Sequence, residues 1–250
     1  MSDVAAIARS IDQELAEIAR STIRKHLDLS DPTNQEFLRE PDGLEQHQAR
    51  WHQWGILTHT RVFLQHFDED IPCYLQQWHL WDKVCSILDR QIDGVPRSAL
   101  LRISILLHDI GKFAARTHSG PNFHFTKHER LSGQIVRSEL DLGRYHLTPA
   151  QVEYIAMTAE DHFVLALIRK RAREVGEYDA AFVDSPSFAD ISRRIKSDHP
   201  DDFAEIGILF LGDSLAKAHP PAGPESALSQ YDINIVVSRR YLEIVLEDIS

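Results

Sequence analysis

The chain is poor in cysteine: Cys73 and Cys85 are the two thiols in 250 residues. Two thiols give no disulfide framework and fit a reducing compartment, so a cytoplasmic location is expected. Positive charge is scarce as well. The formal net charge is −11, which argues against broad attraction to long nucleic acid or to anionic membrane surfaces. No apolar run is long enough to span a bilayer, and the first ten residues contain no apolar core of a signal peptide. No internal repeat or low-complexity tract is found. A Walker A loop, GxGxxG, GxSxG and paired CxxC motifs are all missing, which removes the common sequence signatures of nucleotide-cradling loops, nucleophile elbows and zinc knuckles.

Helical periodicity and histidine are abundant. Val4, Ile7, Ile11, Leu15 and Ile18 recur at three and four residues, as on one helix face. After the turn signals Asp31-Pro32-Thr33 and Glu40-Pro41-Asp42-Gly43, one helix is predicted from about Leu44 into Phe67 and another from Tyr74 to Ile92. Gly94-Val95-Pro96 breaks the chain. The apolar run Ala99–Leu107 could be a strand, but its continuation through Asp109 favours a buried helix, with Gly111 as its stop. Thr148-Pro149-Ala150-Gln151 has the composition of a capping box, and Ser185-Pro186 and His199-Pro200-Asp201 open helices by the same logic. The proline-rich segment His219–Pro224 ends the second of these. Tyr231–Leu246 reads as a closing helix, with a strand as the alternative. With no convincing hairpin or βαβ alternation, the expected fold is all-α.

The 14 histidines make a search for metal ligands worthwhile. Leu107-His108-Asp109-Ile110-Gly111-Lys112 puts an imidazole and a carboxylate at the end of a buried run, an arrangement that costs free energy unless something compensates it. His59, His128, His162 and Asp213 also fall in or beside predicted helices among apolar neighbours. Helices that project His and carboxylate side chains inward are a common way to build a metal site in a bundle.

The wording around these residues resembles the HD superfamily of metal-dependent phosphohydrolases. Trp51–Thr60 is similar to its first-histidine helix, Leu106–Lys112 to its signature turn, Phe123–Gly133 to its H-E-x-x-S/G segment and Leu211–Ala216 to its final-aspartate helix. The resemblance covers residues 50–217 and is nearest to the HD domain of bacterial tRNA nucleotidyltransferases, without the nucleotidyltransferase domain. It implies one domain over 1–250: an N-terminal helical extension (1–43), an HD core (44–217) and a closing helix (222–250). It implies a metal held by His59, His108, Asp109 and Asp213. In two-metal branches Asp109 would bridge, and His128 and His162 would complete a second ion. Read from the residues alone, those two histidines could equally bind phosphate or be core histidines. The cofactor implied is one or two ions of Fe, Mn, Co, Ni or Zn.

The activity implied is hydrolysis of a small phosphomonoester or phosphodiester, a nucleotide for instance, by metal-activated water. Catalytic roles fall to Asp109 and Lys112. Lys112 is expected to meet a phosphate oxygen, and Arg116, Lys127 and Arg130 to form a basic rim for substrate. His118 and His124 are candidates for protonating a leaving group, and His52, about two helical turns before His59, for a supporting role. The charged connection Arg169–Asp202 could act as a lid. Two other readings share the ligand set: a di-iron oxygenase, and a nucleotide-sensing module without turnover.

Overall fold

The computed structural model describes residues 4–47, 52–119, 122–166, 168, 180–217 and 226–249, with backbone alone for 180–181 and 226–232. Helix α1 (Val4–His26) buries Ile7, Ala8, Ile11, Leu15, Ala19 and Ile23, the face that the spacing predicts, and packs on α5 and α6. In α2 (Pro32–Arg39), Asp31 caps the first turn by accepting from the Thr33 amide at 2.8 Å.

The predicted helix from Leu44 is replaced by a 3₁₀ turn (Leu44–Gln46) and by α3 (Ile56–Gln77), which begins later. The start of α3 is fixed from outside: Asp42 accepts from the Thr58 amide at 2.8 Å and from the Thr58 hydroxyl at 2.6 Å, serving one of the orphan first-turn donors. The predicted Tyr74–Ile92 helix is divided. α3 runs through Pro72 to Gln77, a turn with His79 at φ 59° reverses the chain, and α4 covers Trp81–Leu88.

Two small antiparallel hairpins that the sequence reading did not anticipate follow. In the first, β1 (Gln91–Ile92) pairs with β2 (Val95–Pro96) around Asp93-Gly94, both at positive φ, the backbone of a type I′ turn. In the second, β3 (Arg116–Ser119) pairs with β4 (Asn122–Phe125). Between them lie α5 (Arg97–Leu107) and the short α6 (Lys112–Ala115). α7 (His128–Ser138) is followed by α8 (Pro149–Asp161), which carries the predicted capping box between Thr148 and Gln151.

The connection expected to be a lid is largely helical where described. α9 (Ala180–Val183) and α10 (Pro186–Asp198) pack on α12 (Ser226–Val245), and Phe182, Val183, Phe188 and Ile195 enter the core. Residues 169–179, and the segment 218–225 predicted to end the preceding helix, lie outside the described residues. α11 (Phe203–Ala216) is buried on every face and packs on α3 and α12. The closing segment is helix α12 rather than strand. The fold is all-α, and no helix among the described residues is long and apolar enough to cross a membrane.

Two apolar clusters fill the interior. One is built on α3, α4, α10, α11 and α12, the other on α1, α3, α5, α7 and α8. They meet along α3 and α5: Phe63 and Ile105 belong to the first, Leu57 and Leu106 to the second. His59 and His108 sit at this seam. α11 reaches α3 because Gly212 has no side chain; a Cβ there would lie 1.9 Å from the Phe63 ring. Alanine at this position gains about 1 kcal/mol of helix propensity, but overpacking a close-fitted ring costs about 1–3 kcal/mol. Gly212→Ala is therefore expected to lower stability by up to about 2 kcal/mol, read as a reduced urea midpoint. An unchanged midpoint would show that Phe63 repacks freely.

Candidate metal centre

Six side chains from five stretches of chain converge at the seam. His59 comes from the second turn of α3, His108 and Asp109 from the end of α5, His128 from the first residue of α7, His162 from the C-cap of α8 and Asp213 from the last turn of α11. His59, His108, Asp109 and His162 are at most 2 % exposed and Asp213 is 5 % exposed.

The imidazoles share one orientation. Nδ1 of His108, His128 and His162 lies 2.7, 2.9 and 2.7 Å from the carbonyls of Ile105, Phe125 and Ala159, and Nδ1 of His59 lies 3.3 Å from the carbonyl of Ala216. A carbonyl only accepts, so each Nδ1 carries the proton and donates it. In His108, His128 and His162 this leaves Nε2 with a lone pair directed inward, and His59 Nε2 also points inward, in hydrogen-bond contact with Asp213 Oδ1. His59 Nε2 is 3.0 Å from Asp213 Oδ1 and 3.7 Å from Asp109 Oδ2, and His108 Nε2 is 3.4 Å from Asp109 Oδ2. On the other side, His128 Nε2 and His162 Nε2 lie 3.3 and 3.9 Å from Asp109 Oδ1.

Acceptors thus face acceptors in a buried space. His108 Nε2 and Asp109 Oδ1 meet no donor among the described residues. Buried acceptors without donors are costly, and a cation is what satisfies lone pairs held this way. Orientation of a ligating histidine by its other ring N–H is also what metal sites employ. The residues therefore fit a metal, and two triads have the required spacing: His59–His108–Asp109 and Asp109–His128–His162. Asp109 belongs to both through different oxygens.

Protonation agrees with ligation. Burial pushes His108 down to about 4 and His162 down to about 3, so both are neutral at physiological pH, the form that binds metal. Burial works against ionisation of Asp109 too, but the Lys112 ammonium beside it outweighs burial and holds the carboxyl well below its usual range. For Asp213, Lys217 and His59 do the same against burial.

Lys112 is buried, with Nζ 2.6 Å from Asp109 Oδ2 and 3.3 Å from His47 Nε2. Lys217 bonds Asp213 Oδ2. Each carboxylate therefore gives one oxygen to a lysine. Gly111 is not the left-handed stop that the sequence suggested. Its φ is −64°, and its small size matters because a Cβ would lie 2.0 Å from the His128 carbonyl. That close approach brings α7 and His128 against Asp109.

The expected basic rim is not gathered here. Arg116 is buried elsewhere, donating to the Thr33 carbonyl and Asn34 Oδ1 and lying between the rings of Phe37 and Phe123 at 4.4 and 3.8 Å. It ties the second hairpin to α2, whereas the sequence places it among the residues of a substrate rim. His118 bonds Asp31 at 3.0 Å, and His124 is exposed on β4. Lys127 and Arg130 are exposed around the start of α7, beside the half-open His128. One residue was missed. His47 donates Nδ1–H to the Trp54 carbonyl, accepts from Lys112, and stacks on His52 with ring centroids 3.9 Å apart. His52 is buried against the edge of His59. It precedes α3 rather than lying two turns along it. Burial and the nearby Lys112 hold both rings neutral. Comparison with models of protein families and with curated proteins gives no match for this chain.

Proposed function

We propose that the chain is a metal-dependent phosphohydrolase of the HD type, acting in the cytoplasm on a small phosphomonoester or phosphodiester such as a nucleotide. The observation that carries this reading is the convergence of four imidazole Nε2 atoms on Asp109 and Asp213, each ring held by a main-chain carbonyl. His59, His108, Asp109 and Asp213 would hold one divalent transition ion, and Asp109, His128 and His162 a second. A bound ion would supply Lewis acidity and lower the pKa of a water toward neutrality.

The protein's own groups do the rest. Lys112 presents a positive charge beside the carboxylate shared by both triads, where phosphoryl oxygens gain charge in the transition state. His47 takes one of its N–H bonds and so sets its direction. His128 is the least buried of the four imidazoles, its side chain 12 % exposed while those of His59 and His108 are 0 % exposed, so it marks the side nearest solvent. The apolar seam on the other side excludes bulk water. The acidic surface suits a small substrate approaching a local cationic spot rather than a long nucleic acid.

A metal count on protein purified without chelator, followed by turnover of p-nitrophenyl phosphate, bis-p-nitrophenyl phosphate and nucleotides, tests the reading. One to two transition ions per chain and hydrolysis of at least one ester class are expected. Turnover-free tight nucleotide binding would replace hydrolysis with sensing. Dioxygen uptake by iron-loaded protein without ester cleavage would replace it with oxygenation.

A further inference from the structure

A second group of buried ionisable side chains lies where α8 and α10 end and α11 begins. Asp161 is the last residue of α8, His199 is the C-cap of α10, and Asp202 is the N-cap of α11, with Glu205 in the following turn. His199 Nδ1 lies 2.9 Å from Asp161 Oδ2 and 3.8 Å from Asp202 Oδ1. One ligand atom from each of Asp161, His199 and Asp202 falls within 4.8 Å of the others.

Three features of this cluster favour a cation. First, Asp202 stands where an aspartate normally accepts a first-turn N–H, yet its side chain makes no capping bond. It is 1 % exposed, and its Oδ2 meets no donor among the described residues. Glu205, fully buried, also has an unpartnered oxygen, Oε2, while its Oε1 receives Tyr154 Oη at 2.7 Å and Arg97 Nη2 at 2.7 Å. Second, carboxylates outnumber cationic partners. Asp161, Asp202 and Glu205 are gathered around one guanidinium, Arg97, and one imidazole, His199. Burial and the neighbouring carboxylates push Asp202 up to about 9, the response of a carboxyl that lacks a close counter-charge. Third, α8 and α10 both direct the negative ends of their dipoles here, against the positive end of α11 alone. Asp161 and His199 are partly open to solvent, with side chains 18 % and 26 % exposed, so an ion has a way in.

We propose that Asp161, His199 and Asp202 form a separate divalent-cation site, with Glu205 as the adjoining carboxylate. Two carboxylates and an imidazole suit Mn²⁺ or Zn²⁺ better than an all-oxygen ion. The ion clips three helix ends together. One end is next to His162, and α11 carries Asp213 at its far end, so the clip braces both helices that supply those residues. The site does not depend on the hydrolase reading.

The test compares full-length Asp109→Ala with Asp109→Ala/Asp202→Asn, so that the difference counts this site whatever the first centre retains. Asparagine keeps the shape and the capping ability but removes the charge. Titration with Mn²⁺ followed by electron paramagnetic resonance, and with Zn²⁺ by equilibrium dialysis, is expected to show one more bound ion per chain in the single variant. The ion-dependent rise in Tm should be present in that variant and lost in the double. His199→Ala in the same background provides a second comparison should Asp202→Asn fold poorly. Equal ion counts and equal Tm responses across the variants would overturn the proposal.

Discussion

Asp109→Ala is expected to empty the His/Asp centre and abolish turnover. Asp109 is the one side chain common to both triads, through Oδ2 on the His59–His108 side and Oδ1 on the His128–His162 side. Its removal takes an anionic ligand from each. A ligand that binds only the folded state adds about 4 kcal/mol of stability at a thousandfold excess over Kd, and that contribution disappears with the ion. The metal-free variant loses stability for a second reason. Lys112, with a side chain 9 % exposed, sits 2.6 Å from Asp109 Oδ2. Removing one partner of a buried pair costs about 3–5 kcal/mol because the other charge is left uncompensated. Thermal melts of wild type and variant, each with and without chelator, separate the two effects. The metal-dependent gap should be larger in wild type than in the variant, where only the Asp161–His199–Asp202 site remains to contribute, and the chelated variant should melt below chelated wild type. A variant with wild-type metal content, measured by elemental analysis, would remove Asp109 from the centre.

The part of this centre that could be read from the sequence is the part written in local pattern. His108-Asp109 stands out because two polar groups end an apolar run that must be buried. Asp213 lies on a helix that is apolar on all sides, so its carboxylate has nowhere to go but inward. His162 shares a face with Ile155 and Ala159. The contacts that local pattern does not show depend on chain reversals of low contrast. Arg116 is near Lys112 in sequence, but β3 begins at Arg116 and carries it to α2. The strands of that hairpin are four residues each, and Arg-Thr-His-Ser shows no apolar alternation that would announce one. In the first hairpin the strands are two residues long, too short for any period, although Asp93-Gly94 is a standard turn signal. His47 could not be found at all from local pattern. It follows a 3₁₀ turn, and its place comes from stacking on His52 and from the ammonium of Lys112, contacts made only in the folded chain. The Asp161–His199–Asp202 cluster is likewise invisible, since its members come from three separate helix ends.

Lys112→Ala is expected to keep the metal and lose the rate. The lysine is not a ligand in the arrangement described: it donates to Asp109 Oδ2 and to His47 Nε2, leaving the four Nε2 atoms and Asp109 Oδ1 in place. Its third N–H is the one available to an incoming phosphoryl oxygen. An ammonium at that point counts most as charge develops in the transition state, and removing one such stabiliser typically costs on the order of 10²–10³ in kcat. Arginine would be a poor replacement, because a planar fork cannot occupy the space between Asp109 and the His47 ring as a point charge does. Steady-state kinetics on the ester that wild type cleaves best, with ion content measured on the same samples, decides the matter. A fall in kcat at constant metal content supports a role for the ammonium at the phosphoryl group. Loss of the ion together with the rate would mean that Lys112 acts by holding Asp109 ionised and in position. Full activity in Lys112→Ala would reduce the lysine to a counter-charge for Asp109 and withdraw the strongest support for phosphate as the group transferred.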